Sequence, residues 1–262
     1  MIHQFFKLIA IGLLFFAAGV NAACDKLVEV AFYDIGVLYH PRTHAGLDRD
    51  VVDEVFKRLR CGYAPKFESR LRIWSQLSKD QLTMSVSGIA NDERRAFADF
   101  VPYFWARNQL IYSSKGEPLT TPEAFVANPE YRLGVVKSYR HGSGWDGWIE
   151  QLRVAGRVHE VADTQTLVNL LNNGRIKAFP ALQAVSADIG ERYQLSAPVA
   201  HTTWFLDQAK IEHALILNKA LIPASLKADI EKTVGQMRAD GTMFKLLNKY
   251  FPEPIARDML AP

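Results

Sequence analysis

From residue 27 onward the apolar positions keep two rhythms. Residues 27–33, Leu-Val-Glu-Val-Ala-Phe-Tyr, form a nearly continuous apolar run and read as a buried strand. A loop with Gly36, Pro41 and Gly46 follows. Val51, Val52, Val55, Phe56 and Leu59 then recur at helical spacing, so a helix is predicted over residues 48–60. Asp48 is its expected N-cap, and Cys61-Gly62 its stop. A second strand is expected over 64–68, a short helix over 73–77 and a short buried strand over 82–86, with Gly88 opening a loop. Residues 100–112 are apolar and aromatic, interrupted by Pro102, and read as strands leading out of this first unit.

The same alternation starts again near Thr120. Thr121-Pro122-Glu123 is a helix start, and 132–136 is a strand. A helix over 144–154, a strand over 158–161, a helix over 164–171 ended by Asn173-Gly174, and a strand over 176–179 complete the unit. Residues 201–206 read as a returning strand. Helices are then expected over 207–211, 223–239 and 242–250, with Asp240-Gly241 breaking the last two. Strands alternating with helices imply an α/β chain whose mostly parallel sheets are covered by helices. Two such units give two lobes, with any ligand beyond the carboxyl ends of the strands, in the loops after Tyr33, Val86 and Val136.

The first two dozen residues depart from this pattern. Lys7 is followed by an uncharged apolar run over 8–20 and by the small residues Ala22 and Ala23, the plan of a secretory signal peptide over residues 1–23. The competing reading, a membrane anchor, needs about 20 apolar residues. Cleavage fits after Ala22 or Ala23. Lipidation of Cys24 is a third reading, against which Asn21 stands where a Leu-like residue is expected. Export makes the two cysteines, Cys24 and Cys61, candidates for one disulfide. They flank the first strand and the first helix, and closing that loop would stabilise by roughly 3–4 kcal/mol on the chain-entropy model. Charge adds little: 31 Lys and Arg against 28 Asp and Glu leave +3, without the basic stripe that a nucleic-acid partner needs.

Several segments together resemble the extracytoplasmic solute-binding proteins of family 3, which bind polar amino acids for ABC importers. Gly46-Leu47-Asp48-Arg49-Asp50-Val51-Val52 is similar to the family's Gly-Phe-x-x-Asp-Leu. Ser87-Gly88-Ile89-Ala90-Asn91-Asp92-Glu93-Arg94 resembles its Gly-x-x-x-Thr-x-Glu-Arg loop, with Asn91 in place of Thr. Phe100-Val101-Pro102-Tyr103 resembles Phe-Ser-x-Pro-Tyr, and residues 133–139 resemble Val-Gly-Val-x-x-Gly-Ser/Thr. Residues 170–178, with Asn173-Gly174-Arg175-Ile176, resemble Leu-x-x-Gly-Arg-x-Asp-Ala, and Asp240-Gly241-Thr242 with Tyr250 resemble the family's closing motif. The order and spacing of these pieces carry the resemblance over about residues 26–250.

The resemblance implies the type II periplasmic-binding fold, with lobe 1 over 24–107 and 203–262 and lobe 2 over 108–202. Two crossings are expected, near 105–112 and 198–204. It implies that Arg94 holds a ligand carboxylate through its planar guanidinium, with Ser87 and Gly88 beside it. Tyr33, Tyr39 and Trp74 would wall the pocket, Arg72 would be a second anionic anchor or a solvated base, and Ser138 and Tyr139 would close the site from lobe 2. Family members place an Asp just after the Gly-Arg-x-Asp-Ala strand for the ligand's ammonium. Residues 177–183, Lys-Ala-Phe-Pro-Ala-Leu-Gln, hold no carboxylate, which puts an ordinary α-amino acid in doubt.

No metal-ligand spacing, nucleophile elbow, P-loop or dinucleotide fingerprint appears, so no catalytic residue, metal or cofactor is expected. Some proteins of this fold are dehydratases, and some form the front domain of peptidoglycan lyases. The first needs an acid–base set not found in the cleft loops, the second a further domain. The expectation is therefore a monomeric periplasmic binding protein for a small polar or anionic solute, without nucleic-acid partners. Its partner would be an inner-membrane ABC permease or, alternatively, a membrane sensor.

Overall fold

Val30, Ala31 and Phe32 are buried one after another, as in a strand covered on both faces. Around it the computed structural model, which describes residues 27–186 and 189–262, builds two lobes. The signal peptide expected over residues 1–23, and Cys24, lie outside the described residues. Lobe 1 begins with β1 (Val28–Phe32), α1 (Leu47–Leu59), β2 (Tyr63–Phe67), α2 (Arg70–Leu77), β3 (Met84–Gly88), α3 (Asp92–Arg95) and β4 (Ala98–Ala106). Lobe 2 comprises β5 (Asn108–Ser113), α4 (Pro122–Ala127), β6 (Leu133–Val136), α5 (Ser143–Val154), β7 (Val158–Val161), α6 (Thr164–Asn172), β8 (Ala178–Leu182), α7 (Gln183–Ser186), α8 (Ile189–Arg192) and β9 (Val199–Thr202). The chain then returns to lobe 1 with β10 (Ile211–Asn218), α9 (Ala224–Ala239), α10 (Thr242–Tyr250) and α11 (Glu253–Asp258).

The strand order is β2-β1-β3-β10-β4 in lobe 1 and β7-β6-β8-β5-β9 in lobe 2. Each sheet is mixed. β1 runs parallel to β2 and β3, while β10 is antiparallel to β3 and β4. In lobe 2, β6 runs parallel to β7 and β8, while β5 is antiparallel to β8 and β9. The antiparallel pairs come from the strands that carry the chain between lobes. Arg107 alone separates β4 from β5, and its guanidinium donates to Gln208 O at 2.6 Å, tying the first crossing to the second.

The second crossing is residues 203–210, later than the sequence suggests, because β9 is still paired with β5. No helix forms over 207–211. Ile211 instead starts β10, the strand absent from the sequence reading, which lies between β3 and the edge strand β4. Pro102 is accommodated because β4 is the edge strand and the register with β10 shifts beside it, between His213 and Ala214. The C-terminal tail is also structured. Met259 O accepts from the Trp105 N–H at 2.9 Å, and Ala256 and Met259 are buried in the lobe 1 core.

Helix starts explain two further differences. α1 is capped by Gly46, whose φ is +147° and whose added Cβ would stand 2.4 Å from Leu38 O, so only glycine fits there. Asp48 falls inside the first turn and points into the core. α2 begins at Arg70 rather than at 73, because Ser69 accepts the Arg72 N–H at 3.3 Å as N-cap. Lys249 and Tyr250 on α10 both meet Asp50 at 2.7 Å, and Arg58 donates to Asp240 at 2.7 Å, so α1 is fastened to the returning helices.

Two glycines test this packing. A Cβ at Gly88 would lie 2.3 Å from Ile216 Cγ1, whereas at Gly147, exposed within α5, nothing lies within 4 Å. Gly88→Ala is expected to cost about 1–3 kcal/mol by overpacking. Gly147→Ala is expected to add roughly 0.5–1 kcal/mol. Urea unfolding measures both, and equal effects would contradict the contacts described.

Candidate binding cleft

The carboxyl ends of β1, β3 and β6 bring loops from both lobes to one place. Arg94, on α3, is held first by its backbone, whose N–H donates to Asn91 Oδ1 at 2.8 Å. Asn91 thus serves as the helix N-cap. The Arg94 guanidinium donates to Ile89 O at 2.7 Å within lobe 1 and to Ser138 O at 2.7 Å across the cleft. It also stacks on Trp74, 3.8 Å from the ring centre. Arg94 is 6% exposed and makes no ion pair among the described residues; Glu93, next to it, is exposed. Burial, and then the charges of Arg70 and Arg140, bring its pKa down to about 9.

A second cation stands beside it. Arg70, the first residue of α2, is 3% exposed and also without an ion pair among the described residues. Its guanidinium lies 4.5 Å from the Tyr33 ring centre and 4.7 Å from that of Tyr139. Its hydrogen bonds, to Ser138 O at 3.4 Å and Ser87 O at 3.5 Å, are at the long limit. Both receiving carbonyls belong to non-glycine residues in the left-handed region, Ser87 at φ +47° and Ser138 at φ +61°. Such conformations persist only where neighbours hold them.

Those neighbours are visible for Ser87. Its Oγ donates to Asp48 at 2.8 Å, its N–H donates to the Tyr103 hydroxyl at 3.0 Å, and Tyr103 donates to Asp48 at 2.5 Å. The Ser87 side chain therefore points into lobe 1, and its carbonyl faces the cleft, where the Tyr33 hydroxyl also donates to it at 3.3 Å. Burial pushes the Asp48 carboxyl up to about 7, against the opposing effect of its two hydroxyl donors. Burial likewise pushes the Tyr33 hydroxyl up to about 12.

On the lobe 2 side, the Tyr139 ring packs at a tilt against His141, with ring centres 4.7 Å apart. His141 is buried, its backbone N–H donates to Asp146 Oδ1 at 2.9 Å, and burial lowers its pKa. Deeper in, Arg192 on α8 reaches Asp34, after β1, at 3.1 Å, a second tie between lobes. A small pocket of about 40 Å³ lies among Tyr33, Asp34, Arg70, Tyr139 and His141. Towards solvent, a groove of about 540 Å³ opens onto Trp74, Arg94, Ser138, Tyr139 and Arg140.

Of the residues expected at the site, Tyr33, Trp74, Ser87, Gly88, Arg94, Ser138 and Tyr139 gather in or directly beneath this cleft. Tyr39 and Arg72 do not. Tyr39 is buried in lobe 1, stacked on Phe32 at 4.8 Å and bonded to His44 at 3.1 Å. Arg72 is 67% exposed and pairs with Glu68 at 3.3 Å. Arg70 is the cation that faces inward, because the helix starts one turn earlier than its apolar spacing suggests. Asp34 and the Asp48 network were also not legible: Asp34 stands in no motif, Asp48 falls on an unspecified position of one and reads as a helix cap, and only the tertiary fold buries Asp48 beside Ser87 and Tyr103. Among the described residues, no three His, Cys, Asp or Glu side chains form a metal site, and no helix is long and apolar enough to cross a membrane.

Comparison with known proteins agrees with this fold. The family model of bacterial extracellular solute-binding proteins, family 3, matches residues 28–253. The arginine-, lysine-, histidine-binding protein ArtJ of Geobacillus stearothermophilus has a similar structure, with TM-score 0.71 at 21% identity over 86% of this chain and 95% of its own. An arginine 3rd transport system periplasmic binding protein from Legionella pneumophila gives 0.68 at 18% identity, over 86% and 99%. A Streptococcus mutans structure from a study of glutathione import through GshT and the cystine importer TcyBC gives 0.72 at 16% identity, over 91% and 98%. No curated protein matches the chain.

Asp48 supplies a test of the layer beneath the cleft. Its folded pKa of about 7 lies above the roughly 3.9 of an unfolded Asp, so between these values the folded chain holds a proton that the unfolded chain has lost. The resulting stability is fully present below about pH 4 and is lost as the pH rises through about 7. Relative to Asp48→Asn, which cannot titrate, the wild type is expected to lose unfolding free energy across that window. A difference that stays flat with pH would show Asp48 to be ionised throughout.

Proposed function

Because the chain belongs to the bacterial extracellular solute-binding proteins, family 3, we propose that it captures a small polar or anionic solute between its lobes and delivers it to an ABC importer of the inner membrane. The observation that carries this reading is Arg94. It is a buried guanidinium without a carboxylate, reaching from lobe 1 to a lobe 2 carbonyl in a cleft that a groove joins to solvent.

A solute carboxylate arriving by the groove meets Arg94 first and takes two parallel hydrogen bonds from it. Ser138 and Tyr139 then complete the site from lobe 2. The solute stabilises the closed form by contacting both lobes, and the partner recognises closure. The lobes in this reading are residues 24–107 with 203–262, and 108–202. The protein works in the periplasm after removal of residues 1–23, and Cys24 pairs with Cys61 in a disulfide. Support for the importer partner comes from the neighbours, of which two are transport-system binding proteins or come from importer work.

A thermal-shift screen of the mature chain against amino acids, dicarboxylates, amines, sugars and aromatic acids tests the reading. A solute at a hundred times its Kd is expected to add about 2.7 kcal/mol of stability. Arg94→Ala is expected to abolish that shift while the variant remains folded. A panel without a single shift, or a shift untouched by Arg94→Ala, would remove the basis for this function.

A further inference from the structure

The cleft holds more positive charge than one carboxylate can match. Arg70 and Arg94 both reach Ser138 O, both are more than nine-tenths buried, and neither has an ion pair among the described residues. The nearest carboxyl behind Arg70 is Asp48, which is engaged by Ser87 and Tyr103 and pushed up to about 7. Asp34 is held by Arg192 at 3.1 Å, and the two glutamates lining the groove, Glu93 and Glu150, are exposed to solvent, Glu150 paired with Arg153. Buried unpaired cations are costly, and a bound anion is what offsets them.

The remaining polar atoms point the same way. Trp74 Nε1 and the Tyr139 hydroxyl are buried and without hydrogen-bond partners, and both side chains stack on these arginines. The indole N–H can only donate, and so can a guanidinium. Together with the two forks they offer more donors than the roughly four lone-pair positions of one carboxylate. An α-ammonium would instead enter beside two cations, with Asp34 as the one carboxylate among the described residues that line the small pocket at Arg70.

Resting on the solute-binding reading above, we propose that the cleft selects small dianions of the dicarboxylate class, and that Arg70 is the residue that sets this selectivity. One carboxylate meets Arg94 at the groove. The second replaces the long carbonyl contacts of Arg70 between the rings of Tyr33 and Tyr139 and takes up the Trp74 or Tyr139 donor. Arg94 recognises an anion; Arg70 distinguishes two charges from one.

Isothermal titration of the mature chain with succinate and glutarate, against butyrate, valerate, L-glutamine and L-arginine, tests this. The dicarboxylates are expected to bind at least about tenfold tighter than the monocarboxylates of the same chain length, as for a desolvated charge pair. Arg70→Met is expected to remove most of that preference while leaving monocarboxylate binding in place, and Arg70→Lys to retain part of it. Arg94→Gln is expected to weaken both classes. Tighter binding of butyrate, valerate or either amino acid than of the dicarboxylates overturns the proposal on the wild type alone and leaves solute binding intact. So does a preference unchanged in a folded Arg70→Met. Absence of binding by every probe, including the amino acids, overturns the proposal together with the reading it rests on.

Discussion

Two guanidinium groups buried side by side, without an ion pair among the described residues, constrain everything around them. Arg94 and Arg70 come from different helices of lobe 1 and converge on one carbonyl of lobe 2, that of Ser138. Charges so placed need dipoles, rings or ions. The chain supplies dipoles through Ile89, Ser87 and Ser138, and rings through Tyr33, Trp74 and Tyr139. These are weak substitutes for an anion, and a solute that brings negative charge gains what they lack.

The rest of lobe 1 holds these cations in position. Gly46 lets α1 start where Asp48 enters the core, Asp48 holds the hydroxyls of Ser87 and Tyr103, and Ser87 keeps its left-handed backbone with its carbonyl turned to the cleft. Ser69 caps α2, which sets Arg70 at its first position, and Asn91 caps α3, which sets Arg94. The Asp48, Ser87 and Tyr103 bonds are buried, so their loss costs more than their formation in water would suggest.

Between the lobes the construction is lighter. A single residue separates β4 from β5, residues 203–210 form the other crossing, and Arg107 ties the two through Gln208 O. Lys210 is bonded to Asp258, so the second crossing is moored to the C-terminal helix of lobe 1. Short crossings that share a hydrogen bond favour rotation of one lobe against the other with little change inside each.

The local sequence determined most elements, because their signals are local. Amphipathic spacing marked α1, caps and breaks marked α6, α9 and α10, and apolar runs marked β1, β6 and β7. The ordered motifs carried the family, and the loop motif pointed to Arg94. Tertiary structure decided what depends on partners distant in the chain. Residues 211–218 became the interior strand β10 only because β3 and β4 leave a place between them. Arg70 rather than Arg72 faces the solute site because a cap shifted a helix start by one turn. Asp48 changed from an expected N-cap to a buried carboxyl because Ser87 of β3 and Tyr103 of β4 hold it in the core. Burial and charge balance are sums over many neighbours, which spacing along one chain does not encode.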